Sequence, residues 1–104
     1  MKTNGRKILV VDDNLEFAGL VRRLLESKDF QVSIAADGKA AVEKVLSDTP
    51  ELVLLDLILP DFPGEEILKR IKEIDKGVAI IVVTGFGMIA FTVNHFFEGA
   101  GRYS

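Results

Sequence analysis

The sequence predicts an α/β fold: one parallel sheet with helices on both faces. Three observations carry this expectation. Residues 8–11, 31–36, 52–57 and 78–83 are short runs rich in Val, Ile, Leu and Ala, the composition of strands buried on both faces. Between them the apolar residues recur at helical spacing. The links are short, and strands alternating with helices imply parallel pairing through crossovers. With 104 residues the chain has room for one such domain.

The elements follow in order. Residues 8–11 are unbroken apolar and end in Asp12-Asp13. Asn14 offers a helix N-cap. Phe17, Leu20, Val21, Leu24 and Leu25 then mark an apolar stripe, with Arg22, Arg23 and Glu26 on the other side. After the second strand, Asp37-Gly38 is a turn and cap. Ala41, Val42, Val45 and Leu46 form the next stripe, which Thr49-Pro50 ends. The third strand is apolar except for Asp56. Residues 59–64, with Pro60, Pro63 and Gly64, read as a loop. Residues 65–74 form the third helix, with Ile67, Leu68, Ile71 and Ile74 inward and Gly77 as breaker. The fourth strand runs into Thr84-Gly85. Residues 88–98 read as a fourth helix.

Composition excludes several functions. Formal charge is −3, from 13 basic and 16 acidic residues, so the chain carries no basic footprint for nucleic acid by itself. There is no cysteine and one histidine, which removes disulfide, thiolate and histidine-rich metal chemistry. No apolar run approaches a membrane span, and the polar N-terminus lacks the layout of a secretory signal. A cytoplasmic protein is expected.

In parallel α/β sheets chemistry sits at the carboxyl ends of the strands. Asp12 and Asp13 follow the first strand, Asp56 lies at the end of the third, and Thr84 ends the fourth. Clustered carboxylates repel unless a cation or a proton relieves them. An oxygen-only ligand set suits a hard divalent ion, pointing to Mg²⁺. A single strand-end aspartate often does no more than cap the next helix; three of them converging do not fit that reading.

These motifs carry a family resemblance. The segments 8–14 (ILVVDDN), 54–60 (LLDLILP) with Gly64, and 80–85 (IIVVTG) resemble receiver domains of bacterial two-component response regulators in residue, order and spacing. The likeness is strong over residues 6–87 and weaker beyond. It implies a flavodoxin-like fold with strand order 2-1-3-4-5. It implies that Asp56 accepts a phosphoryl group from a sensor histidine kinase. It also implies Mg²⁺ bound by Asp13 and Asp56, by Asp12 largely through water, and by the backbone carbonyl of Ile58. Thr84 would act as the switch hydroxyl, Tyr103 as the aromatic coupled to it, and Pro60 and Gly64 as the loop residues. A downstream output domain or protein would receive the signal.

The C-terminal part departs from the family. Receivers run on through a fifth strand bearing Lys-Pro and then a fifth helix, whereas the last lysine here is Lys76. On this alignment the domain is shortened at its C-terminus. Residues 86–104 hold four of the seven phenylalanines; a repacked core, a dimer surface and an altered chain are all compatible readings. The apolar fourth strand would then be an open edge, from which a homo-oligomer through residues 78–104 is expected. The rival function is therefore a receiver-like interaction or dimerisation module that is poorly phosphorylated. Residues 85–90 also match G-x-G-x-x-A, but the strand and acid that complete a dinucleotide site do not follow. His95 reads as a helix-surface residue.

Overall fold

The computed structural model describes residues 6–84 and 87–92. The elements are β1 (Lys7–Val11), α1 (Leu15–Glu26), β2 (Gln31–Ala35), α2 (Gly38–Asp48), β3 (Leu52–Asp56), α3 (Gly64–Ile74), β4 (Ala79–Thr84) and β5 (Gly87–Thr92). The sheet order is β2-β1-β3-β4-β5. The first four strands pair in parallel, as the strand–helix alternation requires.

Local signals set the helix ends. Asn14 caps α1, its side-chain oxygen accepting from Phe17 N at 3.1 Å. Asp37 caps α2 through Ala40 N at 2.8 Å. Thr49 takes up a left-handed conformation (φ 46°) just before Pro50 and closes α2. Replacing Asn14 by alanine leaves an end donor of α1 without its partner; an expected loss of about 1 kcal/mol should appear in urea unfolding.

The two faces of the sheet hold separate cores. Leu9, Val11, Val53, Leu55, Ile80 and Val82 point to α2 and α3, where Ala41, Val45, Ile67, Leu68 and Ile71 meet them. On the other face Ile8 and Val10 pack against Ala18 of α1, with Val21, Leu25, Val32, Ile34 and Leu54 around them. Strand alternation assigns the two sets.

Two expectations need correction. The stripe of α1 is only partly covered: Ala18 is fully buried, while Phe17, Leu20 and Leu24 are 43%, 54% and 59% exposed. Alanine lets the helix approach β1 closely along the line 18-21-25, while Phe17 and Leu24 line an open apolar cavity with Val10, Leu54 and Val83 of the sheet. Leu46 and Ile74, also expected inward, are exposed near the ends of their helices.

The larger correction concerns residues 88–98. Over 87–92 the chain is an antiparallel strand, not a helix, paired with β4 from Thr84↔Gly87 to Ala79↔Thr92. The edge of β4 is thereby covered within the chain and is not open as expected. Position five in the sheet is filled by a hairpin partner and not by a parallel strand reached through a helix. Residues 93–98 of the expected helix, with His95, lie outside the described residues.

Candidate functional site

The acidic site is a consequence of strand register. Val11 pairs with Leu55 in parallel β1 and β3, so the next residues, Asp12 and Asp56, come level at the carboxyl edge of the sheet. Asp12 is anchored by its backbone N–H to the carbonyl of Ala35 at 3.0 Å, just beyond β2 pairing. Asp13 follows in the turn before α1. One carboxylate oxygen from each of Asp12, Asp13 and Asp56 lies within 4.8 Å of the others.

The three environments differ. Asp12 is buried, Asp56 half-buried and Asp13 exposed. Asp12 Oδ1 accepts from Asn14 N at 2.9 Å. Asp56 Oδ1 accepts from Ile58 N at 3.0 Å. Burial raises the pKa of Asp12 above the ordinary carboxylate value of 3.8. The Asn14 N–H opposes this, and the charges of Asp56 and Asp13 add to it. The ion pairs Arg6–Glu51 and Arg70–Glu66 engage other acids. A buried acid beside two like charges is a costly arrangement, and a hard cation bound by oxygen relieves it. The donor set therefore fits a divalent ion such as Mg²⁺.

The β3–α3 loop completes the rim. Ile58 is 81% exposed and forms an isolated antiparallel bridge to Pro63. Gly64 N donates to the Leu57 carbonyl at 3.0 Å, closing the loop at its neck. Pro60 lies in this loop and Gly64 opens α3. Thr84 ends β4, one residue beyond Val83, the partner of Asp56. The sequence-predicted residues 12, 13, 56, 58, 60, 64 and 84 thus gather at one end of β1, β3 and β4. Tyr103 lies outside the described residues.

One residue of the loop was not legible in the sequence. Asp61 reads locally as a turn residue between two prolines. Its carboxylate instead accepts from Gly38 N at 2.8 Å and Lys39 N at 2.9 Å, at the start of α2. Burial raises its pKa, but the N–H groups of Gly38, Lys39 and Phe62 outweigh it and hold the carboxyl below its ordinary value. No short-range pattern announces a partner 22 residues away.

Comparison with known proteins settles the family. The family model described as "Response regulator receiver domain" matches residues 8–103. The chain is a response regulator receiver domain. It is 40% identical over 83 residues to sporulation initiation phosphotransferase F of Bacillus subtilis, covering 80% of this chain and 67% of that one. It is 37% identical over 102 residues to the transcriptional regulatory protein ResD of the same organism, covering 98% of this chain but 42% of ResD. Among solved structures, the response regulator TrrA of Thermotoga maritima, crystallised with Mg²⁺ and BeF, superposes with a TM-score of 0.73 at 27% identity, over 99% of this chain and 80% of TrrA. The receiver fold expected from the sequence is thereby shown. Among the described residues no helix is long and apolar enough to cross a membrane.

Proposed function

We propose that this receiver domain takes a phosphoryl group onto Asp56 from a phosphohistidine of a sensor histidine kinase, in the cytoplasm, and passes its changed state to an output domain or protein. The observation that carries the reading is the convergence of three carboxylates, one of them half-buried at a strand end, at the edge where β1 and β3 stop. Asp12, Asp13 and Asp56, with the Ile58 carbonyl, would hold Mg²⁺. Bound there, the ion supplies positive charge to offset the carboxylates and the phosphoryl oxygens.

The protein's own residues do the rest. An Asp56 carboxylate oxygen attacks phosphorus. A P–O bond forms, the P–N bond to the donor histidine breaks, and the departing nitrogen keeps the electron pair and is protonated. The Ile58 N–H, donating to Asp56 Oδ1, orients the carboxylate so that one oxygen remains for attack. Thr84, at the end of β4, would meet the phosphoryl group with its hydroxyl and move the segment that follows. Tyr103 would couple to that movement. The role is signalling, with phosphorylation as a state change and not a turnover reaction.

A second reading has its own observation. The last lysine, Lys76, precedes β4 and so lies toward the amino edge of the sheet, opposite the carboxylates. A domain with no cation beside Asp56 would serve as an interaction module with weak switching. Intact-mass spectrometry after incubation with Mg²⁺ and a small-molecule phosphodonor separates the two. We expect one added phosphoryl group in the wild-type protein and none in Asp56→Ala. No addition to folded wild-type protein at any donor concentration would leave the interaction module standing.

A further inference from the structure

The loop that follows Asp56 is held at three places. Its neck is closed by Gly64 N and the Leu57 carbonyl. Phe62 packs on the α2–α3 core, with the Arg70 guanidinium 5.3 Å from its ring centre. Its tip is tied to a different element altogether: both oxygens of Asp61 accept backbone N–H groups of α2, and Oδ1 also accepts from Phe62 N at 2.9 Å. The contact is built into the fold, since a Cβ on Gly38 would stand 3.1 Å from Asp61 Oδ1 and 2.5 Å from Ile67 Cδ1. Glycine at 38 leaves room for the carboxylate and for the core side chain beneath it.

Helix α2 does not need Asp61 as its cap, because Asp37 already fills that role through Ala40 N. The second carboxylate satisfies two further end donors, and it does so from the far side of the chain. The mechanical effect falls on the loop. Ile58 bridges to Pro63 and donates to Asp56, so the backbone beside the acidic site moves with the segment that Asp61 anchors.

We propose that Asp61 is a positioning residue for the acidic site: by binding the Gly38 and Lys39 amides it fixes the 57–64 loop, so that Asp56 and the backbone at Ile58 are arranged for the metal ion before it arrives. The inference rests on the reading of Asp12, Asp13 and Asp56 as a Mg²⁺ site. Residues that orient a ligand shell from outside it commonly change metal affinity by about 10- to 100-fold when removed.

The test uses the full chain and two readouts. Mg²⁺ affinity is measured by calorimetry, and exchange of the Ile58 amide is measured by NMR without metal. Asp61→Ala should bind Mg²⁺ about 10-fold more weakly, with faster exchange at Ile58, Gly38 and Lys39. Asp61→Asn, which keeps one acceptor oxygen, should fall between it and wild type, and it serves in its place if the alanine variant does not fold. Asp37→Ala removes the other carboxylate from the same helix end without touching the loop; it should lose stability but keep wild-type Mg²⁺ affinity and Ile58 exchange. Wild-type affinity in both Asp61 variants would overturn the proposal, as would an equal weakening by Asp37→Ala. Wild-type protein that binds no Mg²⁺, or binds it as tightly after Asp56→Ala, would overturn the metal reading and this inference with it.

Discussion

Gly64→Ala should destabilise the domain by about 2–4 kcal/mol, as read from urea unfolding. A Cβ at this position would lie 2.5 Å from the Leu57 Cα and 2.8 Å from the Leu57 carbonyl oxygen. These are backbone atoms, so no side-chain rotation relieves the contact. The Leu57 carbonyl is also the acceptor for Gly64 N, so moving it away breaks the bond that closes the loop. Alanine's better helix propensity, about 1 kcal/mol in a helix interior, offsets only part of this at a first helical turn. The damage should reach the acidic site, because the displaced neck lies between Asp56 and Ile58. Mg²⁺ affinity should fall together with stability. A variant with wild-type unfolding would mean that the neck yields without cost.

Asp12→Asn, by contrast, should stabilise the metal-free protein. Asp12 is buried beside two like charges, and asparagine keeps an oxygen for the Asn14 N–H while removing the repulsion. At separations near those of the cluster, charge–charge terms amount to about 1–3 kcal/mol in partly exposed surroundings. The sign with pH follows from linkage. The folded protein holds the Asp12 proton more tightly than the unfolded chain does. This group's contribution is therefore most favourable at and below the unfolded value, and it is lost as pH rises through the raised folded value. Thermal melts of metal-free wild type should show this loss on the way to neutral pH, and Asp12→Asn should not. Mg²⁺ at 100 times its dissociation constant should restore about 2.7 kcal/mol to the wild type and less to the variant. If Asp12→Asn proved less stable than wild type without metal, the carboxylates would not be repelling one another, and the argument for a cation would weaken.

Much of the site was legible because its signals are local. Asp12, Asp13 and Asp56 stand out as acids at the ends of apolar runs, and parallel pairing alone brings strand ends to one edge. The caps Asn14 and Asp37, and the stop at Thr49-Pro50, were equally plain. Asp61 was not, since its meaning lies in two amides of another helix. The exposure along α1 was hidden for a related reason. A stripe of leucines reads as buried, yet Ala18 sets where the helix meets β1 and leaves Phe17 and Leu24 on an open cavity, and closeness of approach is a property of the pair.

By itself the sequence determined the four parallel strands, the three helices between them and the edge on which the acids gather. Hydrophobic period and end-capping are written within a few residues, and such interactions act wherever the segment finds itself. Tertiary structure decided what residues 87–92 become. Met88, Ile89 and Phe91 satisfy a helical reading and a strand reading alike; the unpaired edge of β4, offering backbone partners from Ala79 to Thr84, makes the strand. It likewise decided that Asp61 belongs to α2. In both cases the deciding groups are backbone N–H and C=O of a distant segment, which must be paired wherever they are brought together and leave no mark on the residues that pair with them.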